Sequence, residues 1–153
     1  MTYRYMKPIL AVMVGISGSG KSTFSNNLKT SLNAELVETD AIRGELTGDQ
    51  SDQTQNYKVF QIAKQRVENL LSQGKNVVID ATSVSVRDRK DWINIGKKHD
   101  AELRAYFINT SKEEAKRRNK TRERQVPDEV IDRQFGRLQV PKEEEGFDLV
   151  KIV

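Results

Sequence analysis

"GISGSGKST", residues 15–23, is the stretch on which the reading of this chain turns. Gly15, Gly20, Lys21 and Ser22 satisfy the spacing G-x-x-x-x-G-K-[ST] of a phosphate-binding loop. Glycines at 15, 18 and 20 permit backbone angles that turn successive N–H groups inward, toward an anion. The loop directly follows "PILAVMVG", residues 8–15, a continuous apolar run that reads as a strand buried on both faces. It opens a segment expected to be helical from about Lys21 to Leu32, whose N-terminus adds a positive dipole end. This order predicts that Gly15, Ser17, Gly18, Ser19, Gly20, Lys21, Ser22 and Thr23 hold the phosphates of ATP. Lys21 is expected on the β- and γ-phosphates and the Ser22 hydroxyl on Mg²⁺.

The rest of the chain repeats the alternation. Further strands are expected in "AELVET" (34–39), "NVVIDA" (76–81), "AELRAYFINT" (101–110) and "FDLVKIV" (147–153). Between them, "AIRGEL" (41–46) begins a short helix and "TGDQSDQTQ" (47–55) reads as a loop. Val59, Ile62, Ala63, Val67, Leu70 and Leu71 fall at helical spacing over 54–72. A helix over 86–99 sets Trp92 and Ile95 on one face, and Ser111 is placed to cap a basic helix. Pro127 is expected to open a last helix, with Val130, Ile131, Phe135 and Leu138 facing inward. Strands alternating with helices predict an α/β fold: a P-loop NTPase with a parallel sheet of about five strands and helices on both faces. The expected organisation is a single kinase domain over 1–153, with an arginine-bearing helical lid.

Composition narrows the chemistry. The 153 residues suffice for a core without staples, and there is no cysteine, which excludes disulfides, thiolate nucleophiles and Cys-ligated zinc. The single histidine, His99, reads as a solvated residue ending a helix, so acid–base work falls to carboxylates or lysines. No run approaches 18 apolar residues, so no membrane span is expected. The apolar start lacks a signal-peptide cleavage site and reads as a strand, compatible with a cytoplasmic protein. Net charge is +4, and the excess is local: residues 112–124 carry seven basic and three acidic side chains. Such a run serves either as a solvated helix face or as a site for a polyanion, ATP or nucleic acid.

Two aspartates, Asp40 and Asp80, fall where strands end, the edge at which open α/β sheets bind ligands. Either could simply cap the following helix. Beside a phosphate loop, one could accept the proton of an attacking hydroxyl while the other holds Mg²⁺ through water. Arg43 lies one helical turn beyond Asp40, suiting an anionic acceptor if it is not merely a surface residue. Arg118 and Arg122 are four apart in the basic run and are expected to share a helical face, with Arg124 beyond. Arginines on a mobile segment can neutralise the charge that builds on a transferred phosphoryl group.

Taken in order, "GISGSGKST", "TDAIRGELTGDQSDQT", "VVIDATS", "RRNKTRERQVP" and "EEGFDLV" resemble the polynucleotide 5′-kinase family, the kinase modules of phage and bacterial nucleic-acid end-healing enzymes. The resemblance runs from about Ile9 to Val153. Its more specific part is the D-x-x-R pair with "RG" and the downstream "DQT". It implies transfer of the γ-phosphate of ATP to the 5′-hydroxyl of DNA or RNA. Asp40 would be the general base, Arg43 the contact to the acceptor's nearest phosphate, and Arg118 and Arg122 the lid arginines on the donor phosphates. Asp80 matches a family aspartate. Ser83 departs from the asparagine common after "DAT", and the stretch after Arg122 is about one residue short, which bears on Arg124. Phosphatase and ligase modules that often accompany the kinase have no room here, so the expectation is either a stand-alone kinase or one part of a split system with a separate phosphatase or ligase partner. A kinase for a nucleoside, sugar or metabolite would use the same parts. A nucleotide-driven switch or nucleic-acid-binding module would leave Asp40 and Arg43 without assigned work.

Overall fold

The computed structural model describes residues 6–123 and 125–153. Arg124, singled out above, lies outside them. Five strands run in the order β2-β3-β1-β4-β5: β1 (Ile9–Val14), β2 (Ala34–Glu38), β3 (Asn76–Asp80), β4 (Glu102–Phe107) and β5 (Leu149–Ile152). All neighbours pair in parallel, as the continuous apolar runs predict. Among the described residues six α-helices fill the crossovers: α1 (Lys21–Ser31), α2 (Thr39–Thr47), α3 (Asn56–Ser72), α4 (Val86–Lys98), α5 (Lys112–Asn119) and α6 (Asp128–Arg137). None is long and apolar enough to cross a membrane among the described residues.

Strand periodicity splits the core into two layers. Leu10 and Val12 of β1 join Val77, Ile79, Leu103 and Ala105 beneath α3 and α4, whose Val59, Ala63, Val67, Trp92 and Ile93 complete that layer. Ala11 and Met13 face the other way, with Val78 and Tyr106, against Phe24 and Leu28 of α1 and its C-cap Leu32. Each fully buried Leu, Ile or Met contributes roughly 1.5–3 kcal/mol. This central sheet is therefore a rigid base for the loops at its carboxyl edge. A third small cluster sits at that edge: Ile16 of the loop, Val84, Ala115 of α5 and Ile131 of α6. It docks the last two helices onto the phosphate loop.

Four local expectations need correction. The second helix starts at Thr39, so Asp40 lies in its first turn, where a carboxylate faces the positive end of the helix dipole. The basic helix stops at Asn119, because the buried Asn119 side chain donates to the Val126 carbonyl (2.7 Å) and accepts from its N–H (3.1 Å), folding the chain back. Arg122 therefore stands in the turn beyond, not on one helical face with Arg118. Pro127 precedes the last helix as its N-cap, and Phe135 is 41% exposed there, while Ile131 supplies the buried contact. His99 ends α4 as expected but is not solvated: its Nε2 pairs with Glu68 Oε1 at 3.2 Å.

Candidate active site

The phosphate loop is fastened on three sides. Gly15 N–H donates to the Thr82 carbonyl at 3.0 Å, tying the loop to the segment after β3. The Ser19 carbonyl accepts from Thr110 Oγ1 (3.0 Å) and from Arg118 NH1 (2.9 Å). Ser17 N–H donates to Gln134 Oε1 (2.7 Å), and Gln134 Nε2 donates back to Ser17 Oγ (3.0 Å). Two glycines are required by this geometry. Gly18 has φ +79°, and a Cβ there would stand 2.3 Å from the Ala115 carbonyl oxygen of α5. Gly20 has φ +97° and ends the loop as the N-cap of α1.

Lys21 opens α1 with its Nζ 3.5 Å from the Ile16 carbonyl, and Ser22 and Thr23 are exposed beside it. The loop fits a polyphosphate. Its left-handed Gly18 and Gly20 lead into the N-terminus of α1, and both line one cleft with Lys21. Ser19 Oγ is buried within the loop, with no hydrogen-bond partner among the described residues.

A cleft of about 1160 Å³ opens from the loop across the carboxyl edge of the sheet. Ser17, Gly18, Gly20, Lys21, Ser22, Thr23, Asp40, Arg43, Asp80, Arg118 and Arg122 all line it. Gly15 and Ser19 do not; they lie beneath the loop's surface, and both are buried. Asp80, the last residue of β3, is buried and accepts a hydrogen bond from Ser25 Oγ of α1 at 3.1 Å. It caps no helix, since α4 is capped by the reciprocal Ser85–Asp88 pair.

Asp40 and Arg43 form the cleft's far pole. Arg43 NH1 donates to Asp40 Oδ1 at 2.6 Å, with the arginine side chain 6% exposed and the carboxylate 45%. Asn56, at the start of α3, accepts from Arg43 Nε (3.2 Å) and NH2 (3.0 Å) through its Oδ1. A guanidinium has five N–H groups. With these three engaged, one N–H remains on each of NH1 and NH2. Arg43 is thus not a surface arginine: its buried guanidinium also pairs with Asp40.

Arg118 bridges loop and lid. Besides the Ser19 carbonyl it reaches Glu114 Oε1 with Nε at 3.0 Å. Hydrogen bonds from Arg117 first, and from Arg118, hold the Glu114 carboxyl below its ordinary range. On the other side of the loop, Phe24, Ile108 and Val153 form a shallow apolar recess edged by Arg118. Asn56, Gln134 and Thr82 escaped the sequence reading. Asn56 stands just after "DQT", the one nearby signal, and nothing local marks Gln134. Ser83, in place of the asparagine, has φ +45°, a left-handed conformation that Asn tolerates better than other non-glycine residues.

Comparisons with known proteins agree with this fold. The AAA domain family matches residues 10–141. The bifunctional polynucleotide phosphatase/kinase of Schizosaccharomyces pombe is 28% identical over 149 residues, covering 94% of this chain and 33% of that protein. A chain in the structure of the Pnkp1/Rnl/Hen1 RNA repair complex superposes with a TM-score of 0.78 at 27% identity, over 94% of this chain and 47% of that one. A gluconokinase from Sinorhizobium meliloti 1021 shares the fold alone, with a TM-score of 0.65 at 19% identity over 96% of this chain and 82% of that one. The chain thus spans about a third of the yeast protein and about half of the repair-complex chain. On the family match, with the P-loop kinase fold and the likeness to polynucleotide kinases around it, the chain belongs to the AAA domain family.

Proposed function

We propose that this protein transfers the γ-phosphate of ATP to the 5′-hydroxyl of a nucleic acid, DNA or RNA. The observation that carries the reading is the Asp40–Arg43–Asn56 cluster in one cleft with the phosphate loop. Lys21 and the loop N–H groups bind the donor phosphates. The apolar recess beside the loop suits the flat base of the nucleotide. Ser22 and Asp80 are the residues that would hold Mg²⁺, with phosphate oxygens and water as the other ligands. Among the described residues no cluster of three metal-ligating side chains exists, and a phosphate-bound ion needs none. When bound, Mg²⁺ supplies charge neutralisation at the donor phosphates.

Asp40 takes the proton of the acceptor hydroxyl as its oxygen bonds to the γ-phosphorus. The bond from that phosphorus to the β,γ-bridging oxygen breaks, and ADP leaves. Arg43 holds Asp40 by one N–H of NH1 and presents its two remaining N–H groups to the acceptor's nearest phosphate. Arg118 and Arg122 neutralise charge on the transferred group when the lid settles. Enzymes that trim or join the healed ends, a phosphatase or a ligase, are the partners this activity calls for.

A small-molecule kinase is the second reading, favoured by the fold shared with the gluconokinase. Transfer of labelled γ-phosphate to a 5′-hydroxyl DNA oligomer, its RNA counterpart, a 3′-mononucleotide and a plain nucleoside separates the two. The kinase reading expects labelled oligomer and 3′-mononucleotide and an unlabelled nucleoside. Labelling of the nucleoside alone would support the second.

A further inference from the structure

The stretch "EEGFDLV", residues 144–150, has no part in the chemistry above, yet its Glu145 makes a contact 56 residues back in the chain. Glu145 ends the 3₁₀ turn Glu143–Glu145, and its carboxylate accepts two N–H groups of Arg89 on α4: Nε to Oε1 at 2.8 Å and NH2 to Oε2 at 3.0 Å. Both side chains are buried, the arginine wholly and the glutamate to 8% exposure. The Lys142 N–H also donates to Oε2, at 2.9 Å. The turn comes this close to α4 because Gly146 follows it. At φ +127°, a Cβ there would stand 2.8 Å from Ile93 Cγ2.

The rest of the guanidinium holds backbone. Arg89 NH1 donates to the Ser83 carbonyl (2.8 Å) and to the Val84 carbonyl (3.0 Å), so four of its five N–H groups are engaged. Ser83 has φ +45°, so the chain leaves regular structure here and its buried carbonyls need donors from elsewhere. The residues flanking Ser83 meet the phosphate loop. The Thr82 carbonyl accepts the Gly15 N–H, and Val84 packs in one cluster with Ile16. A buried ion pair is a poor device for fastening a helix, because apolar side chains of like volume often hold it as well or better. A planar fork on two consecutive carbonyls does something apolar packing cannot: it fixes where a backbone segment sits.

We propose that Arg89, braced by Glu145, is a positioning residue for the phosphate loop: it sets the backbone of residues 82–84, which sets Gly15 and Ile16 in the shape that binds ATP. The inference rests on the reading that the loop binds ATP and not on the identity of the acceptor.

The test titrates ATP with Mg²⁺ into wild type, Arg89→Lys, Glu145→Gln and a control in the core beneath α3, Val67→Ala, and records the melting temperature of each without ATP. Lysine keeps the charge but has no fork to span both carbonyls. Arg89→Lys should weaken ATP binding by about tenfold or more, the scale on which a displaced binding group acts. Glu145→Gln, which leaves the guanidinium on both carbonyls, should weaken it by a smaller factor. Val67→Ala should lower the melting temperature with ATP affinity unchanged. Wild-type ATP affinity in Arg89→Lys overturns the proposal. So does a loss of ATP affinity in Val67→Ala that matches Arg89→Lys at the same drop in melting temperature, which is what a merely structural role produces. If Arg89→Lys does not fold, the wild type decides. Coupling is reciprocal, so a bound non-hydrolysable ATP analogue should slow solvent exchange of the Arg89 Nε–H, followed by NMR. Exchange that ignores the bound nucleotide overturns the proposal. A wild type that binds no ATP overturns the reading beneath it, and the inference with it.

Discussion

Arg43 NH1 lies 2.6 Å from Asp40 Oδ1, a buried guanidinium gripping a half-exposed carboxylate one helical turn away. On the proposed reaction the pair would place a proton acceptor and an anion contact on one unit, because the same guanidinium is held from behind by Asn56. Removing Arg43 therefore affects more than acceptor binding. Arg43→Ala should raise the acceptor KM and also lower kcat, since Asp40 loses its orienting partner. Steady-state kinetics at varied acceptor, with ATP saturating, would show both. A change in KM alone would mean that Asp40 is held by other contacts.

Asn56 has no role in the sequence motifs, yet it accepts two of the Arg43 hydrogen bonds. Asn56→Ala leaves buried guanidinium N–H groups without a partner, a cost of roughly 1–3 kcal/mol. The expected result is a lower melting temperature and a raised acceptor KM. Asn56→Asp, which keeps an acceptor oxygen there, should recover most of the KM. Equal damage from both variants would argue that the amide matters only for its bond to Gln53.

Gln134 couples α6 to the phosphate loop through both the N–H and the hydroxyl of Ser17. Gln134→Ala should weaken ATP binding several-fold, with the acceptor KM nearly unchanged. Titration with a fluorescent ATP analogue checks this. Unaltered nucleotide affinity would make Gln134 a fold contact only.

Gly18→Ala combines two penalties: a φ of +79°, which an L side chain adopts at a cost of roughly 1–2 kcal/mol, and a Cβ 2.3 Å from the Ala115 carbonyl. Backbone must move at one side or the other. ATP affinity should fall at least tenfold, accompanied by a lower melting temperature. Normal ATP affinity would show that α5 can shift without disturbing the loop.

The lid carries a pH dependence of known sign. Glu114 is held below its ordinary carboxylate value of 4.5 by hydrogen bonds from Arg117 and then Arg118. A depressed folded value means the link is complete above pH 4.5 and is lost as pH falls through the lower value. Between pH 5 and 8 it should contribute no change in ATP affinity. Glu114→Gln should reproduce the acid state at neutral pH, with Arg118 less fixed and ATP bound more weakly. ATP titrations at several pH values compare the two.

The sheet was legible in advance because buried parallel strands read as nearly continuous apolar runs: those beginning at Ile9 and Val77 are unbroken, and the one at Leu103 is interrupted only by Arg104. Helix ends were less so where a side chain decides them. Asn119 ends α5 by bonding Val126, seven residues on, and no local propensity announces that. The site divides along the same line. The phosphate loop and the D-x-x-R pair are local in sequence and were read directly. Gln134 meets Ser17 across 117 residues, and Asn56 meets Arg43 across 13, so both appeared only once the fold brought them together.

The central claim is that Asp40 serves as base toward a nucleic-acid 5′-hydroxyl. The most direct measurement is transfer of labelled γ-phosphate from ATP to a 5′-hydroxyl oligonucleotide by wild type and Asp40→Asn, with ATP affinity measured on both. Wild type should label the oligonucleotide. Asp40→Asn should lose on the order of 100-fold or more in kcat while binding ATP as tightly, because the base acts only in the chemical step. Undiminished transfer by Asp40→Asn would contradict the account.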